Sequence, residues 1–391
     1  MSDNQREEMS IRERIRKDKF LDSEGITNTS KDLKGKFCHK PFDQFEIHPN
    51  GMVSVCCMSW LPEKIGSVGI KGVKEVFNSD KAQKIRESIL DGSFSYCDHK
   101  LCPYIQNDSL PDKEEITDIR HKLIIENNQI EDLEPTFYNL CYDESCNLNC
   151  PSCRVNKISY YKGPAYEIKK RIQNELVKHL FGEPHDKYCV VNVTGSGDPF
   201  GSKLFRELLF NIDGNKYPKV FFNLQTNGVM FTPKYWGKMK KIQNNINTVI
   251  VSYDAGTPET YKITRRGGDW DQLQKNMKFL SSLRQDGLIN ELRIDCVVQK
   301  ANYKELDKLV QIGLDLKVDK VYFSLVVDWG TWSPEVYEQN CVWKNTHPEF
   351  NNFIKILQNP IFDEPIVDLG NLTESRRLFL IHIAEQLKNK T

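Results

Sequence analysis

Three cysteines lie close together in the middle of the chain, at Cys146, Cys150 and Cys153. Thiolates are the preferred protein ligands of iron–sulfur clusters. Three of them can bind three irons of a cubane and leave the fourth iron open to another ligand. A structural zinc site needs a fourth ligand, and no histidine lies nearby to supply it. The spacing therefore predicts an iron–sulfur site, with zinc binding or simple packing as the alternative.

A second group of cysteines lies near the beginning of the chain, at Cys38, Cys56, Cys97 and Cys102. Asn50-Gly51 falls between two short strand candidates, which is a strong hairpin signal, and a hairpin there brings Cys38 and Cys56 near each other. Cys97 and Cys102 are already close in sequence. Four thiolates in this arrangement can bind zinc or a complete cubane, and the spacing alone leaves both open.

The elements that must position these cysteines show in the pattern of residues 136–328. Short apolar runs rich in β-branched residues alternate with helical periods, as in strands covered on both faces. The runs are residues 137–141, 189–194, 220–225, 248–252, 292–298 and 320–326. This alternation implies a parallel sheet with right-handed crossovers. Since an eight-fold barrel typically takes about 250 residues, we predict an α/β fold with a partial (β/α)6 barrel.

The same pattern divides the chain into five predicted segments. The small cysteine-rich cluster-binding module and the barrel are the two folded domains, and polar or irregular segments surround them. The segments are a polar N-terminal stretch (1–37, with at most one helix near residues 9–20), the module (38–106), a charged linker with one amphipathic helix (107–135), the barrel (136–328) and an irregular and helical extension (329–391).

Composition limits the classes of function. Lys+Arg and Asp+Glu both number 54, so no global positive field exists to attract nucleic acid. The charged N-terminus is unlike a secretory signal, and no run of about 18 apolar residues indicates a membrane-spanning helix. We therefore expect a cytoplasmic protein with no membrane and no nucleic-acid partner. In that compartment the 12 cysteines are more often metal ligands or core residues than disulfides.

The C-x3-C-x2-C spacing directly after the first predicted strand resembles the signature of the radical S-adenosylmethionine superfamily. Further stretches match that family in order, each near the C-terminal end of a predicted strand, which is where barrel enzymes carry their chemistry. These stretches are Gly195-Ser196-Gly197-Asp198-Pro199, Thr226-Asn227-Gly228, Ser252-Tyr253-Asp254-Ala255, Arg265-Arg266-Gly267-Gly268 and Val297-Val298-Gln299. The resemblance covers residues 136–326.

This resemblance implies a 4Fe-4S cluster on the three central cysteines, with S-adenosyl-L-methionine chelating its open iron. One electron from the cluster would cleave that cofactor and release a 5′-deoxyadenosyl radical. The glycine-rich stretch would hold the amino group of the cofactor, and Ser252 and Arg266 would hold its carboxylate. The family commonly has an aromatic residue before the last cysteine, where this chain has Ser152, so the contact to adenine is not predicted. The implied cofactor-binding residues are Gly195, Ser196, Gly197, Asp198, Ser252, Arg266 and Gln299.

The front cysteines resemble the half-SPASM or twitch module, which carries one auxiliary 4Fe-4S cluster. That module usually follows the barrel, whereas here it precedes the barrel. The resemblance implies a cluster fully coordinated by Cys38, Cys56, Cys97 and Cys102, with structural zinc as the alternative. Cys57 is interpreted as a packing residue, although it is close enough in sequence to exchange with Cys56 as a ligand.

Together the two resemblances imply an oxidoreductase-type enzyme that abstracts hydrogen from a peptide or carbohydrate-like substrate. Net oxidation, by dehydrogenation or crosslinking, is the expected outcome. A radical epimerase and a non-catalytic iron–sulfur or zinc scaffold are the alternatives. The expected partners are a flavodoxin- or ferredoxin-type electron donor and a peptide or small-molecule substrate.

Overall fold

The computed structural model describes residues 32–99 and 102–372. Its chain divides into two compact units. The first unit comprises Met1–Glu144, Tyr160–Ser196 and Ile212–Phe221, and the second comprises Ser145–Ser159, Gly197–Asn211 and Phe222–Thr391. The helix expected near residues 9–20 lies outside the described residues.

Among the residues that the structure describes, five strands belong to the first unit and neighbour one another in the order β5-β4-β1-β2-β3. β1 pairs with β4, and β4 with β5, in parallel, whereas the short β2 and β3 complete an antiparallel meander on β1. All four residues of β1 are buried, as suits a strand with a neighbour on each side. The strands are β1 (Gln44–Ile47), β2 (Met52–Ser54), β3 (Gly66–Ser67), β4 (Phe137–Leu140) and β5 (Cys189–Val193).

The predicted hairpin at Asn50-Gly51 is confirmed as the connection between β1 and β2. Gly51 has a φ of 80°, which a residue with a side chain rarely adopts. Its N–H donates to the carbonyl of His48 at 2.8 Å, and the N–H of His48 donates to the carbonyl of Met52 at 2.9 Å. The turn therefore returns the chain directly to the segment that contains Cys56.

Six helices accompany these strands in the described part of the first unit. The N-cap side chains of Ser79 and Asp118 accept hydrogen bonds from the first turns of α3 and α5. α5 is the helix predicted within residues 107–135. The helices are α1 (Lys40–Asp43), α2 (Val73–Phe77), α3 (Asp80–Leu90), α4 (Pro103–Gln106), α5 (Ile119–Glu126) and α6 (Pro164–Phe181), with 3-10 turns at Lys113–Glu115 and Gly214–Lys216.

The sheet of the second unit is entirely parallel, in the order β6-β7-β8-β9-β10. Burial alternates along β6 and β8, which places one row of apolar side chains in the core. The two-residue β10 was not predicted, because a strand that short carries no periodic signal. The strands are β6 (Val220–Thr226, entering this unit at Phe222), β7 (Ile246–Ser252), β8 (Glu291–Val298), β9 (Lys320–Leu325) and β10 (Val367–Asp368).

Helices follow these strands as the alternating pattern predicts. α10 buries Leu273, Met277 and Leu280 on one stripe, and its N-cap Asp269 accepts from the N–H of Gln272. The helices are α7 (Lys203–Asn211), α8 (Pro233–Lys238), α9 (Pro258–Thr264), α10 (Trp270–Gln285), α11 (Leu306–Asp315), α12 (Pro334–Asn340) and α13 (Phe350–Ile356), with 3-10 turns at Gln243–Asn245, Tyr303–Glu305, Pro360–Asp363 and Gly370–Leu372.

All six strands predicted between residues 136 and 328 are present, as β4 to β9, and each is parallel to the neighbours with which its register is defined. The predicted α/β class with a predominantly parallel sheet is therefore confirmed. Among the described residues, none of the helices combines the length and the apolar character needed to span a bilayer.

Candidate iron–sulfur sites

The central cysteine triad lies on the loop that follows β4, within the second unit. Cys146 and Cys150 form one buried cluster with Leu148, and Cys153 packs against it. The N–H of Cys153 donates to the carbonyl of Cys150 at 3.0 Å, and the N–H of Cys146 donates to Ile158 at 2.9 Å. These backbone bonds fold the loop so that its three thiols share one buried environment.

Every sulfur of the triad has a nitrogen donor directed at it. Two of the donors are guanidinium groups, and the other two are a backbone N–H and a side-chain amide. The contacts are Leu148 N to Cys146 Sγ (3.4 Å), Asn227 Nδ2 to Cys146 Sγ (3.7 Å), Arg265 Nη1 to Cys150 Sγ (3.6 Å) and Arg154 Nη2 to Cys153 Sγ (3.4 Å). Such donors suit sulfur that carries negative charge.

Burial makes free thiolates unfavourable in this loop. It raises the pKa of Cys146 to about 12, with a further contribution from Asp198. Burial also raises the pKa of Cys150, although the charge of Arg265 opposes the rise. Three packed thiols would not need two buried guanidinium groups, whereas three metal-bound thiolates would. The donor set therefore fits an iron–sulfur cluster.

Arg265 is fixed by a buried ion pair. Its Nη2 lies 3.0 Å from Oδ2 of Asp254, at the end of β7. Asp254 adopts a φ of 59°, and its Oδ1 accepts from the N–H of Val297 at 2.7 Å. The side chain of Asn302 donates to the carbonyl of Asp254 at 3.0 Å. These contacts hold Asp254 in a left-handed conformation that is unusual for a residue with a side chain, and they direct Arg265 toward Cys150.

Some buried polar atoms of the second unit have no partner among the described residues. They include Nε of Arg265, Nε2 of Gln299 and the hydroxyl of Tyr261. Buried donors are nearly always satisfied in native proteins. Unpaired buried donors fit the binding of a polar group, and cofactor binding by Gln299 stays a prediction.

Arg266 has a different environment from the adjacent Arg265. Its side chain is exposed and donates to the carbonyls of Asn149 (3.2 Å) and Val155 (3.3 Å). Arg266 therefore stabilises the cysteine loop through hydrogen bonds to backbone carbonyls. Ser252 is the last residue of β7 and is half-buried. Their binding to the carboxylate of the cofactor stays a prediction.

The glycine-rich stretch divides between the two units. In the first unit, a Cβ on Gly195 would lie 2.8 Å from Sγ of Cys141, so a side chain there would clash. The hydroxyl of Ser196 donates to the carbonyl of Cys141 at 2.7 Å. Both contacts fix the turn against the end of β4. Gly197 belongs to the second unit and is half-buried, and cofactor binding by all three residues stays a prediction.

Asp198 was predicted as a cofactor ligand, but its carboxylate is occupied within the protein. Oδ1 accepts from the N–H groups of Phe200 and Gly201, both at 2.9 Å. Oδ2 accepts from the hydroxyl of Thr226 and the N–H of Asn227, both at 2.8 Å. Asp198 thus orients Asn227, whose amide contacts Cys146. Its side chain positions the cysteine loop, and cofactor binding by Asp198 stays a prediction.

Arg154 was not selected from the sequence, and Arg265 was considered only as a substitute for Arg266. Arg154 directly follows the last cysteine of the motif, which was the available signal. Arg265 had no local signal that distinguished it from Arg266. Only the contact with Asp254 shows which arginine turns inward.

The four front cysteines come together in the first unit. Burial raises the pKa of Cys38 to about 11, and the charge of Cys102 adds to the rise. Burial likewise raises the pKa of Cys56, with Cys38, Cys57 and Cys97 contributing, and that of Cys97, with Cys38 and Cys102 contributing. Each of these thiols is therefore influenced by the charge of at least one other cysteine of the group. Binding of a cluster or a metal by Cys38, Cys56, Cys97 and Cys102 stays a prediction.

The comparisons with known proteins agree with both groups of cysteines. The model of the radical SAM superfamily matches residues 144–311, and that of SPASM, an iron–sulfur cluster-binding domain, matches residues 38–103. The chain therefore contains a radical SAM domain, with a SPASM-like iron–sulfur module before it in the sequence. S-adenosylmethionine, a 4Fe-4S cluster and additional iron–sulfur are its cofactors.

Individual relatives are distant. GTP 3′,8-cyclase of Petrotoga mobilis (strain DSM 10674 / SJ95) is 26% identical over 176 residues, which is 44% of this chain and 50% of that protein. The chain thus matches about half the length of this curated relative. The solved structures that match include anSMEcpe with bound AdoMet (20% identity, TM-score 0.36, 48% of each chain). Another is Streptococcus suis SuiB bound to precursor peptide SuiA (14% identity, TM-score 0.41, 79% of this chain and 67% of SuiB). Likeness at this level does not extend to the substrate.

Proposed function

We propose that Cys146, Cys150 and Cys153 bind the 4Fe-4S cluster on which this enzyme uses S-adenosylmethionine. The observation that carries this assignment is the presence of an N–H donor at each of the three sulfurs. Donors to the sulfurs are one of the means by which proteins set the potential of such clusters. Three thiolates leave one iron available to the cofactor.

Bound at such a cluster, S-adenosylmethionine supplies a 5′-deoxyadenosyl radical. The residues of the second unit prepare the site in three ways. Arg154 and Arg265 offset the negative charge of the thiolates. The burial of Cys146 and Cys150 keeps water from the sulfurs. The free Nε of Arg265 and Nε2 of Gln299 are donors for the polar groups of the cofactor, and Ser252 and Arg266 complete the proposed set.

The front cysteines, Cys38, Cys56, Cys97 and Cys102, are proposed to bind a fully coordinated auxiliary 4Fe-4S cluster. Support comes from their mutual proximity and from the SPASM match over residues 38–103. The N–H of Asp98 donates to the carbonyl of Trp60 at 2.7 Å, which ties the loop after Cys97 to the loop after Cys56. A saturated cluster suits electron transfer better than cofactor binding.

We further propose hydrogen abstraction from a peptide or carbohydrate-like substrate with net oxidation, in the cytoplasm. An auxiliary cluster without an open iron is a reasonable acceptor for the electron that such an oxidation releases. A flavodoxin- or ferredoxin-type donor would reduce the cluster of the triad. The proposed domain limits are residues 38–106 for the module and 136–328 for the barrel.

The test is formation of 5′-deoxyadenosine by the anaerobically reconstituted and reduced full chain. The wild type should form it, whereas a variant with alanine at Cys146, Cys150 and Cys153 should not. That variant should also lose about half of the iron, if the front module holds the other cubane. Cys189→Ala is the control, because Cys189 is a buried strand cysteine outside both groups. Unchanged iron in the triple variant would exclude the assignment.

A further inference from the structure

A group of metal-ligand side chains distinct from the cysteines lies in the first unit. Nδ1 of His39 is 2.8 Å from Oδ2 of Asp43, and Nε2 of His121 is 2.9 Å from the same oxygen. These three ligand atoms all lie within 4.8 Å of one another. His39 caps α1 at one end and Asp43 ends it, so one helical turn aligns them, while α5 supplies His121.

Asp43 is oriented so that one oxygen faces both imidazoles. Its other oxygen, Oδ1, is bound by the guanidinium of Arg120. Arg120 is itself held by the carbonyls of Phe42 (2.8 Å) and Glu134 (2.9 Å). Burial alone would raise the pKa of Asp43, but hydrogen bonds from His121 and His39 and the charge of Arg120 bring it below its usual range. The carboxylate is therefore ionised and aimed at the two histidines.

The surroundings of His121 match those of a metal ligand. Its second ring nitrogen, Nδ1, lies 3.3 Å from Oδ1 of Asp118. Without a cation, the ring can donate to Asp118 and Asp43 together only when both nitrogens carry protons. With a metal on Nε2, a neutral ring suffices, since Nδ1–H donates to Asp118. Metal-binding histidines commonly donate their other N–H to a carboxylate in this way.

We propose that His39, Asp43 and His121 form a site for a divalent transition metal, with zinc as its first candidate. Two histidines and one carboxylate are a ligand set that binds zinc or non-haem iron with positions left for water. Ligands at 2.0–2.2 Å from a tetrahedral metal lie roughly 3.3–3.6 Å apart. The observed 2.8 and 2.9 Å would need to widen by roughly 0.4–0.8 Å.

The site lies beside one of the front cysteines, so a bound metal would affect the cysteine module. His39 directly follows Cys38, and its side chain is 50% exposed, so an ion reaches it from solvent. The metal would replace the hydrogen bonds now present between Asp43 and the two rings. It would brace the segment that carries Cys38 against α5, without being a ligand of the cluster.

The experiment titrates zinc into the full chain after both iron–sulfur sites have been reconstituted, in competition with a chromophoric chelator. We expect one bound zinc, whose X-ray absorption shows nitrogen and oxygen at about 2.0–2.1 Å and no sulfur at about 2.3 Å. His39→Ala and His121→Asn should remove it. Asp118→Asn should weaken it about 10- to 100-fold. His347→Ala, a histidine elsewhere in the chain, is the control and should leave zinc binding unchanged.

The proposal is overturned if the protein takes up no zinc, if sulfur surrounds the zinc, or if His39→Ala binds zinc as the wild type does. The iron content of each variant is measured alongside, so that a loss of zinc through unfolding is recognised. His39 is exposed, so its replacement should leave the fold and the iron content unchanged. Because the readout is zinc rather than turnover, the outcome is independent of the proposed reaction.

Discussion

Replacing Arg265 by glutamine should damage the enzyme in two measurable ways. The guanidinium of Arg265 touches Sγ of Cys150 and pairs with the buried Asp254. Burial raises the pKa of Asp254, and Arg265 counters that rise. Without Arg265, the carboxylate of Asp254 is left unpaired in the core. The variant should therefore lose stability and also lose affinity for S-adenosylmethionine.

The size of the stability loss follows from the buried pair. Removing one partner of a buried pair costs about 3–5 kcal/mol, because the other charge is left uncompensated. Protonation of Asp254 limits that cost to about 4 kcal/mol at pH 7, which is the free energy needed to neutralise a carboxyl of ordinary pKa near 3.9. The double variant Asp254→Asn, Arg265→Gln has no unpaired charge and should recover much of the loss.

The matched control is Arg266→Gln, since Arg266 is exposed and donates only to backbone carbonyls. It should change the free energy of unfolding by less than about 1 kcal/mol. Urea unfolding of the cluster-loaded proteins gives these values. If Arg265→Gln were as stable as Arg266→Gln, the buried ion pair would not have the role assigned to it.

Equilibrium dialysis with S-adenosylmethionine then shows whether Arg265 or Arg266 binds the carboxylate of that cofactor. The free Nε of Arg265 favours Arg265, whereas the family pattern favours Arg266. The arginine that binds the carboxylate should lose about 1.5–3 kcal/mol of binding when replaced, which is about 10- to 150-fold in affinity. We expect this loss of affinity in the double variant Asp254→Asn, Arg265→Gln, which should retain the fold. An equal loss in Arg266→Gln, with none in the double variant, would instead favour the sequence-based assignment.

Three further changes have defined outcomes. Cys97→Ala should lose iron from the front module and still form 5′-deoxyadenosine, without productive substrate oxidation. Stoichiometric zinc in the wild type, with a single cubane by Mössbauer spectroscopy, would contradict this assignment. Arg86→Met should cost about 3–5 kcal/mol in urea unfolding, because the buried guanidinium donates to three backbone carbonyls that would lose their partner; a loss below about 1 kcal/mol would show that water replaces it. Burial lowers the pKa of His179, so the folded state resists its protonation and stability should fall as pH drops below about 6.5. His179→Gln should flatten that slope between about pH 7 and 5.5, and an unchanged slope would assign it to other groups.

The sequence was sufficient for the features that depend on neighbouring residues. The six strands from β4 to β9 were predicted because each is a run of apolar residues bounded by polar ones. The hairpin at Asn50-Gly51 was predicted because a two-residue signal specifies the turn. The triad was found because its three ligands lie on one loop.

Features formed between distant segments were not accessible in the same way. Asp43 and His121 are 78 positions apart, and the sequence around each residue does not indicate that the two are in contact. The choice between Arg265 and Arg266 depends on which side chain the end of β7 turns inward, since Asp254 pairs with only one of them. Asp198 was predicted as a cofactor-binding residue because of its place in the motif, and its four hydrogen bonds within the fold were not predicted. Tertiary contacts decided each case.

The pairing of β1 with β4 bears on where this module can lie in the sequence. Four consecutive residues of β1 lie beside four of β4, from Gln44 opposite Phe137 to Ile47 opposite Leu140. The backbone bonds from Thr136 N to Asp43 O (3.0 Å) and from Cys141 N to Ile47 O (2.9 Å) extend the ladder beyond both ends. A module that pairs along one strand edge can precede or follow that strand in the sequence. The edge of β4 accepts the same hairpin whether it is encoded upstream or downstream, so circular permutation can relocate the module while its docking is retained.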